Sequence, residues 1–142
     1  MALKFASPEW VAAYKEAINT SPTYRTTGST WHHGVITLVI PANPALGLDA
    51  DACIWLDLHQ GVCREAKVVS RAEANAGSAF VIVGEYARWK QVIRKDLEPI
   101  KGMMQGKLKL TKGQLPIIVR YVQAARDLVE AATTVPTAFA DE

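Results

Sequence analysis

The chain has 142 residues, 49% of them hydrophobic and 21% charged, with a formal net charge of +2. That balance suits one domain with a real core and excludes an intrinsically disordered chain. No apolar run reaches the roughly 18–20 residues that span a bilayer as a helix, and the near-neutral charge argues against a dedicated nucleic-acid binder.

Ser7-Pro8-Glu9 reads as a helix start, with a hydroxyl cap, Pro in the first turn and an acid at the positive end of the dipole. Trp10, Ala13, Tyr14, Ala17 and Ile18 follow at helical spacing, and Asn19-Thr20-Ser21-Pro22 stops them. Residues 23–29 are polar and predict a loop or a short helical turn. Residues 31–40 predict the first strand, on their β-branched centre, and Pro41 and Pro44 end it. Residues 42–51 form an irregular connection. Residues 52–58 predict a second strand with Ile54, Leu56 and Leu58 on one face and Cys53, Trp55 and Asp57 on the other. His59-Gln60-Gly61 predicts a hairpin turn into a third strand over 62–69. Residues 70–78 read as a polar loop, and 79–83 as a buried fourth strand.

The stretch from Trp89 to Gly113 is the most informative. Trp89, Val92, Ile93 and Leu97 recur at three- and four-residue steps, which places them on one helical face. Glu98-Pro99 restarts the chain. Ile100, Met103 and Met104 form a second small apolar face. Gly106 ends it, Lys107-Leu108-Lys109-Leu110 alternates like a half-buried strand, and Gly113 closes that strand. A final helix over 115–132 carries the stripe Ile117, Ile118, Tyr121, Val122, Ala125, Leu128, Val129 and Ala132. Residues 134–142 are expected to be a frayed tail, with Phe139 able to tuck back.

The order Trp89…Ile93…Pro99-Ile100…Met104-Gln105-Gly106-Lys107-Leu108-Lys109-Leu110…Gly113 resembles the end of a type-two sterol carrier protein lipid-binding domain. Gln114 departs from the acidic residue that many members carry there. The resemblance extends more loosely from Phe5 to Ala132. It implies an α+β fold, with about five mostly antiparallel strands and helices packed on one side around an apolar tunnel. The order of predicted elements fits the same class. It also implies a domain over 1–133 and non-enzymatic binding or transfer of a sterol, fatty acid or fatty acyl-CoA. Lining residues expected on this basis are Trp89, Ile93, Ile100, Met103, Met104, Ile118, Tyr121, Val122, Ala125 and Leu128.

Other chemistry is sparse. There is no G-x-S-x-G, Walker or Rossmann pattern. His32, His33, Cys53, His59 and Cys63 are the only conceivable metal or catalytic set; turn histidines and half-buried thiols explain them better. No cofactor is expected, and the two cysteines are read as free thiols. Arg64 or Lys67 is the expected partner of Asp57. The tryptophans are read as core residues. Residues 88–113 hold eight basic against two acidic residues, a local excess of +6 that leaves −4 elsewhere. That segment is a candidate for transient contact with an anionic membrane. The N-terminus lacks an apolar signal core and the C-terminus is not of the Ser-Lys-Leu type, so a cytoplasmic location is expected. A different class of function, an accessory domain whose apolar groove takes a partner's helix, fits the same apolar surface.

Overall fold

The computed structural model describes residues 2–142. The first half runs β1 (Leu3–Lys4), α1 (Pro8–Asn19), α2 (Pro22–Thr27), β2 (Ile36–Ile40), a 3-10 turn (Pro44–Leu46), β3 (Ala52–His59) and β4 (Val62–Val69). The second half runs α3 (Arg71–Gly77), β5 (Phe80–Val83), α4 (Tyr86–Ile93), α5 (Pro99–Met104), β6 (Lys109–Lys112), α6 (Leu115–Val119), α7 (Val122–Thr133) and β7 (Thr137–Ala138).

Five strands form one sheet in the order β4-β3-β2-β5-β6. All pairings are antiparallel except the central one, where β2 runs parallel to β5. The β3–β4 hairpin turns on Gln60 and Gly61, whose φ values of 49° and 82° give the doubly left-handed turn that matches strand twist. A register shift between Asp57 and Leu58 leaves Arg64 as the extra residue. Its guanidinium donates to Asp57 at 3.0 Å, one of the two partners expected from the sequence. The first strand is shorter than expected. Trp31 turns back through its amide to Gly28, its indole N–H bonds the Gly34 carbonyl at 3.0 Å, and Gly34 takes φ 100°, so extended pairing begins only at Ile36.

Strand alternation separates two environments. Ile36, Leu38, Ile40, Ile54, Leu56, Leu58, Phe80 and Ile82 pack in the larger core with α1, α4 and α7. Val39, Cys53, Val69 and Val81 form a smaller cluster with Ala74 of α3. Residues 70–78, expected as a polar loop, are therefore largely helical. Ser70 and Glu73 form a capping box, with the Ser70 hydroxyl accepting from the Glu73 amide at 3.1 Å. Ala74 is fully buried, and Gly77 lies so close to Trp55 that a Cβ there would sit 2.5 Å from the ring. The helices are thus massed on one face, with α3 on the other.

Two other expectations are corrected. The single last helix is broken between α6 and α7, where Tyr121 has φ −113° and ψ 36°. The β-branched run Ile117-Ile118-Val119 is a weak helix former, and the Tyr121 ring is drawn onto Trp31 at a centroid distance of 4.9 Å. Residues 134–142 are not frayed. β7 pairs in parallel with β1, Val135 and Phe139 are buried, and Phe139 packs against Phe5 at 5.6 Å. Lys90 bridges Asp141 at 2.8 Å and Glu142 at 2.9 Å, and Arg94 pairs with Glu142. An aromatic anchor and charge pairs together hold a segment whose composition alone is unremarkable.

Candidate functional site

Between the sheet and the massed helices lies an apolar cavity of about 120 Å³ lined by 25 residues, none of them charged. Its floor is the inward face of the sheet: Ile36, Leu38 and Ile40 of β2, Ile54, Leu56 and Leu58 of β3, and Ile82 of β5. β2 is the central strand, yet Ile36 and Leu38 remain partly accessible, because they face empty space where a closed core would place side chains. The roof comes from α1, α4, α5, α6 and α7.

The aromatic residues of the wall keep their polar atoms out of the cavity. Trp10 Nε1 donates to Thr137 Oγ1 at 2.8 Å, and Trp89 Nε1 to the Val39 carbonyl at 3.0 Å. Tyr14 donates its hydroxyl proton to the Leu128 carbonyl at 2.9 Å, and Tyr121 to that of Thr30 at 3.1 Å. Each ring thus adds an apolar body to the cavity with its polar end satisfied elsewhere. Burial, reinforced by neighbouring Tyr24 and Cys63, raises the Tyr14 phenol far above its usual range. Tyr24 is raised for the same first reason, so both stay neutral.

Seven expected residues, Trp89, Ile93, Met103, Ile118, Tyr121, Ala125 and Leu128, come together in this wall. Three do not. Met104 points to solvent and is 68% exposed. Helical neighbours differ by about 100° in direction at 3.6 residues per turn, so Met103 facing inward turns Met104 away. Ile100 is buried in the surrounding core without reaching the cavity, and Val122 is displaced by the break before α7. The expected lining left out Ile36 and Leu38, whose alternation with Ile40 was the available signal, Ala124, and Val129, which was nonetheless placed on the last helix's apolar stripe.

The histidines and cysteines do not converge. Among the described residues no three His, Cys, Asp or Glu side chains are grouped to hold a metal. Cys53 and Cys63 are both free and buried, in the two separate clusters on either face of the sheet. Burial pushes the Cys63 thiol up to about 11, so it is protonated at neutral pH. The basic segment is partly offset: Lys90 and Arg94 pair with the C-terminal acids, and Lys95 with Glu130 at 2.7 Å. No helix is long and apolar enough to cross a membrane among the described residues.

No protein-family model matches the chain, and no curated protein does. Solved structures do. A crystal structure of sterol carrier protein 2 shares 35% identity at a TM-score of 0.85, over 93% of this chain and 99% of that one. The solution structure of a Thermus thermophilus protein, described as possibly a sterol carrier protein, shares 34% identity at a TM-score of 0.86, over 96% and 93%. The apo form of sterol carrier protein 2 from Yarrowia lipolytica, 14% identical with a TM-score of 0.57 over 94% and 96%, matches in fold alone. With the order of elements, the sheet topology and the apolar cavity between sheet and helices, these likenesses establish that the chain belongs to the sterol carrier protein 2 family.

Proposed function

We propose that this chain binds and transfers an apolar lipid, a sterol, fatty acid or fatty acyl-CoA, without catalysing a reaction on it. The observation that carries the reading is the cavity wall between sheet and helices: 25 residues without a charge. Desolvation supplies the affinity. Burying ~14 methylenes at about 0.8 kcal/mol each offers on the order of 11 kcal/mol. Lost translational and rotational freedom takes back about 4 kcal/mol at the low end of its range, leaving about 7. Micromolar-range affinity follows, which suits a carrier that must release its cargo.

A cavity of about 120 Å³ is smaller than the ~300–1,000 Å³ of drug-sized ligand sites. Uptake in this reading therefore requires the wall to open. The sheet floor is held by ladders of hydrogen bonds, whereas the roof elements α5, α6 and α7 are short or interrupted, which favours movement on the helical side. Transient contact with an anionic membrane through Lys101, Lys107 and Lys109 would place the cavity beside its source of lipid. These lysines have no ion pair among the described residues. An apolar space lying between sheet and helices suits a lipid tail better than a partner's helix, which docks in a surface groove.

The test is uptake of a fluorescent long-chain fatty acid by the purified protein, with displacement by unlabelled lipid. Saturable, displaceable, micromolar binding is expected. Absence of uptake across sterol, fatty acid and acyl-CoA probes would refute the carrier reading.

A further inference from the structure

One edge of the cavity wall is not merely apolar. Trp31 and Tyr121 both line the cavity, with ring centroids 4.9 Å apart. His33 stands edge-on to Trp31 at 5.0 Å and to Tyr121 at 5.8 Å, and His32 follows at 4.3 Å from His33. The four rings run from the buried wall outward: Trp31 is buried, Tyr121 and His33 are half-buried, and His32 is exposed.

The Thr30 carbonyl ties this array together. It accepts from the Tyr121 hydroxyl at 3.1 Å and bonds His32 Nδ1 at 2.9 Å. A carbonyl only accepts, so Nδ1 of His32 carries a proton. Arg120 directly precedes Tyr121 at the break between α6 and α7. It is exposed and has no ion pair or side-chain hydrogen bond among the described residues. α7 begins at the same place without a side-chain cap, so the positive end of its dipole adds to the field there.

We infer that this corner, formed by His32, His33, Arg120 and Tyr121 where the apolar wall reaches the surface, receives the carboxylate head of a long-chain fatty acid whose tail enters the cavity. The inference rests on the carrier reading and deepens it. Charge supports the assignment. Partial burial disfavours protonation of His33 most, and neighbouring His32 and Arg120 add to it; no carboxylate opposes them. The corner therefore presents the permanent positive charge of Arg120, while the His33 ring leans toward its neutral form. One charge matches a monoanionic head. Arg also meets a carboxylate with two parallel N–H donors, which fixes the orientation of the chain.

The experiment compares palmitate with methyl palmitate, which has the same tail and no charge, in the parent protein, Arg120→Gln and His33→Gln. Palmitate should bind the parent more tightly than the ester. The palmitate-to-ester affinity ratio should fall about tenfold in Arg120→Gln, the scale of one lost charge-assisted hydrogen bond. Titration of the His33 ring by NMR supplies the second reading: palmitate should raise its pKa, because a bound anion favours the imidazolium, and the ester should not. An unchanged ratio in both variants, or a His33 titration that palmitate leaves in place, overturns the inference while ester binding upholds the carrier reading. If neither lipid binds the parent, both fall together.

Discussion

Replacing Ala125 with Phe separates a cavity from a closed core. Ala125 lies in the first turns of α7 and lines the cavity opposite the sheet floor. The substitution adds a benzene-sized ring. A dry apolar cavity of ~150 Å³ accommodates free benzene, and the space here is about 120 Å³. The ring therefore fits with small shifts of its neighbours, and its own burial offsets part of their displacement. Overpacking a closed core costs ~1–3 kcal/mol; here the net cost should stay below about 1 kcal/mol. For a domain near this size that corresponds to a fall in Tm of no more than ~2–4 °C. Uptake of a fluorescent fatty acid should be abolished, because the ring occupies the space from which the wall must open to admit the tail. Differential scanning calorimetry and a fluorescence titration read the two quantities. A Tm lowered by ~6 °C or more with uptake unchanged would refute the reasoning, since it would mean that the site is packed and that lipid binds elsewhere.

Phe139→Ala should cost about 3 kcal/mol in urea denaturation, the low end for truncating a buried Phe, because its ring packs on Phe5 and Tyr86; a loss under ~0.5 kcal/mol would restore the frayed-tail expectation. Ser70→Ala removes the hydroxyl that caps α3 and should destabilise by about 1 kcal/mol, read as a lower urea midpoint at constant slope. His33 is held below its ordinary pKa by partial burial, His32 and Arg120. The unfolded chain thus takes up the proton first, so stability should decline as pH falls through about 6.5, where an unperturbed His titrates. His33→Gln should flatten that part of a Tm-against-pH curve, whereas the depressed carboxylates of Asp51, Asp141 and Glu142 act only in the acid range below it. Reversing Lys107 and Lys109 to Glu should weaken sedimentation with anionic vesicles at low salt, and ~1 M salt should erase the difference; equal binding at low salt would remove the membrane contact from the account.

Local signals were legible in the sequence where local physics governs. The cap at Ser7, the apolar faces of residues 54–58, the turn at Gln60-Gly61 and the buried run ending at Val83 each follow from neighbours in the chain. The seven lining residues that came together lie on helical faces whose period is visible. Helix α3 was missed because its only buried side chain is Ala74, so it shows no apolar stripe; the Ser70 and Glu73 pair was the signal available. The break at Tyr121 needs, besides the weak helix-forming run before it, a long-range contact to Trp31 some ninety positions earlier in the chain. So is the docking of Phe139, which depends on Phe5 and Tyr86. Met104 could have been set aside from the sequence alone, since adjacent helical residues do not share a face. The void itself was not legible, because a lined cavity and a packed core call for the same residues.

The central claim, that a lipid tail occupies the space between the sheet and the helices, is tested most directly by isotope-filtered NMR on the protein loaded with uniformly labelled palmitate. Nuclear Overhauser contacts are expected from the methylene protons to the methyl groups of Ile36, Leu38, Ile118 and Leu128, which line the cavity. None are expected to Val39 or Val81, which lie on the opposite face of the same sheet. Contacts confined to Val39 and Val81, or absent from all six residues in a saturated complex, would contradict the account.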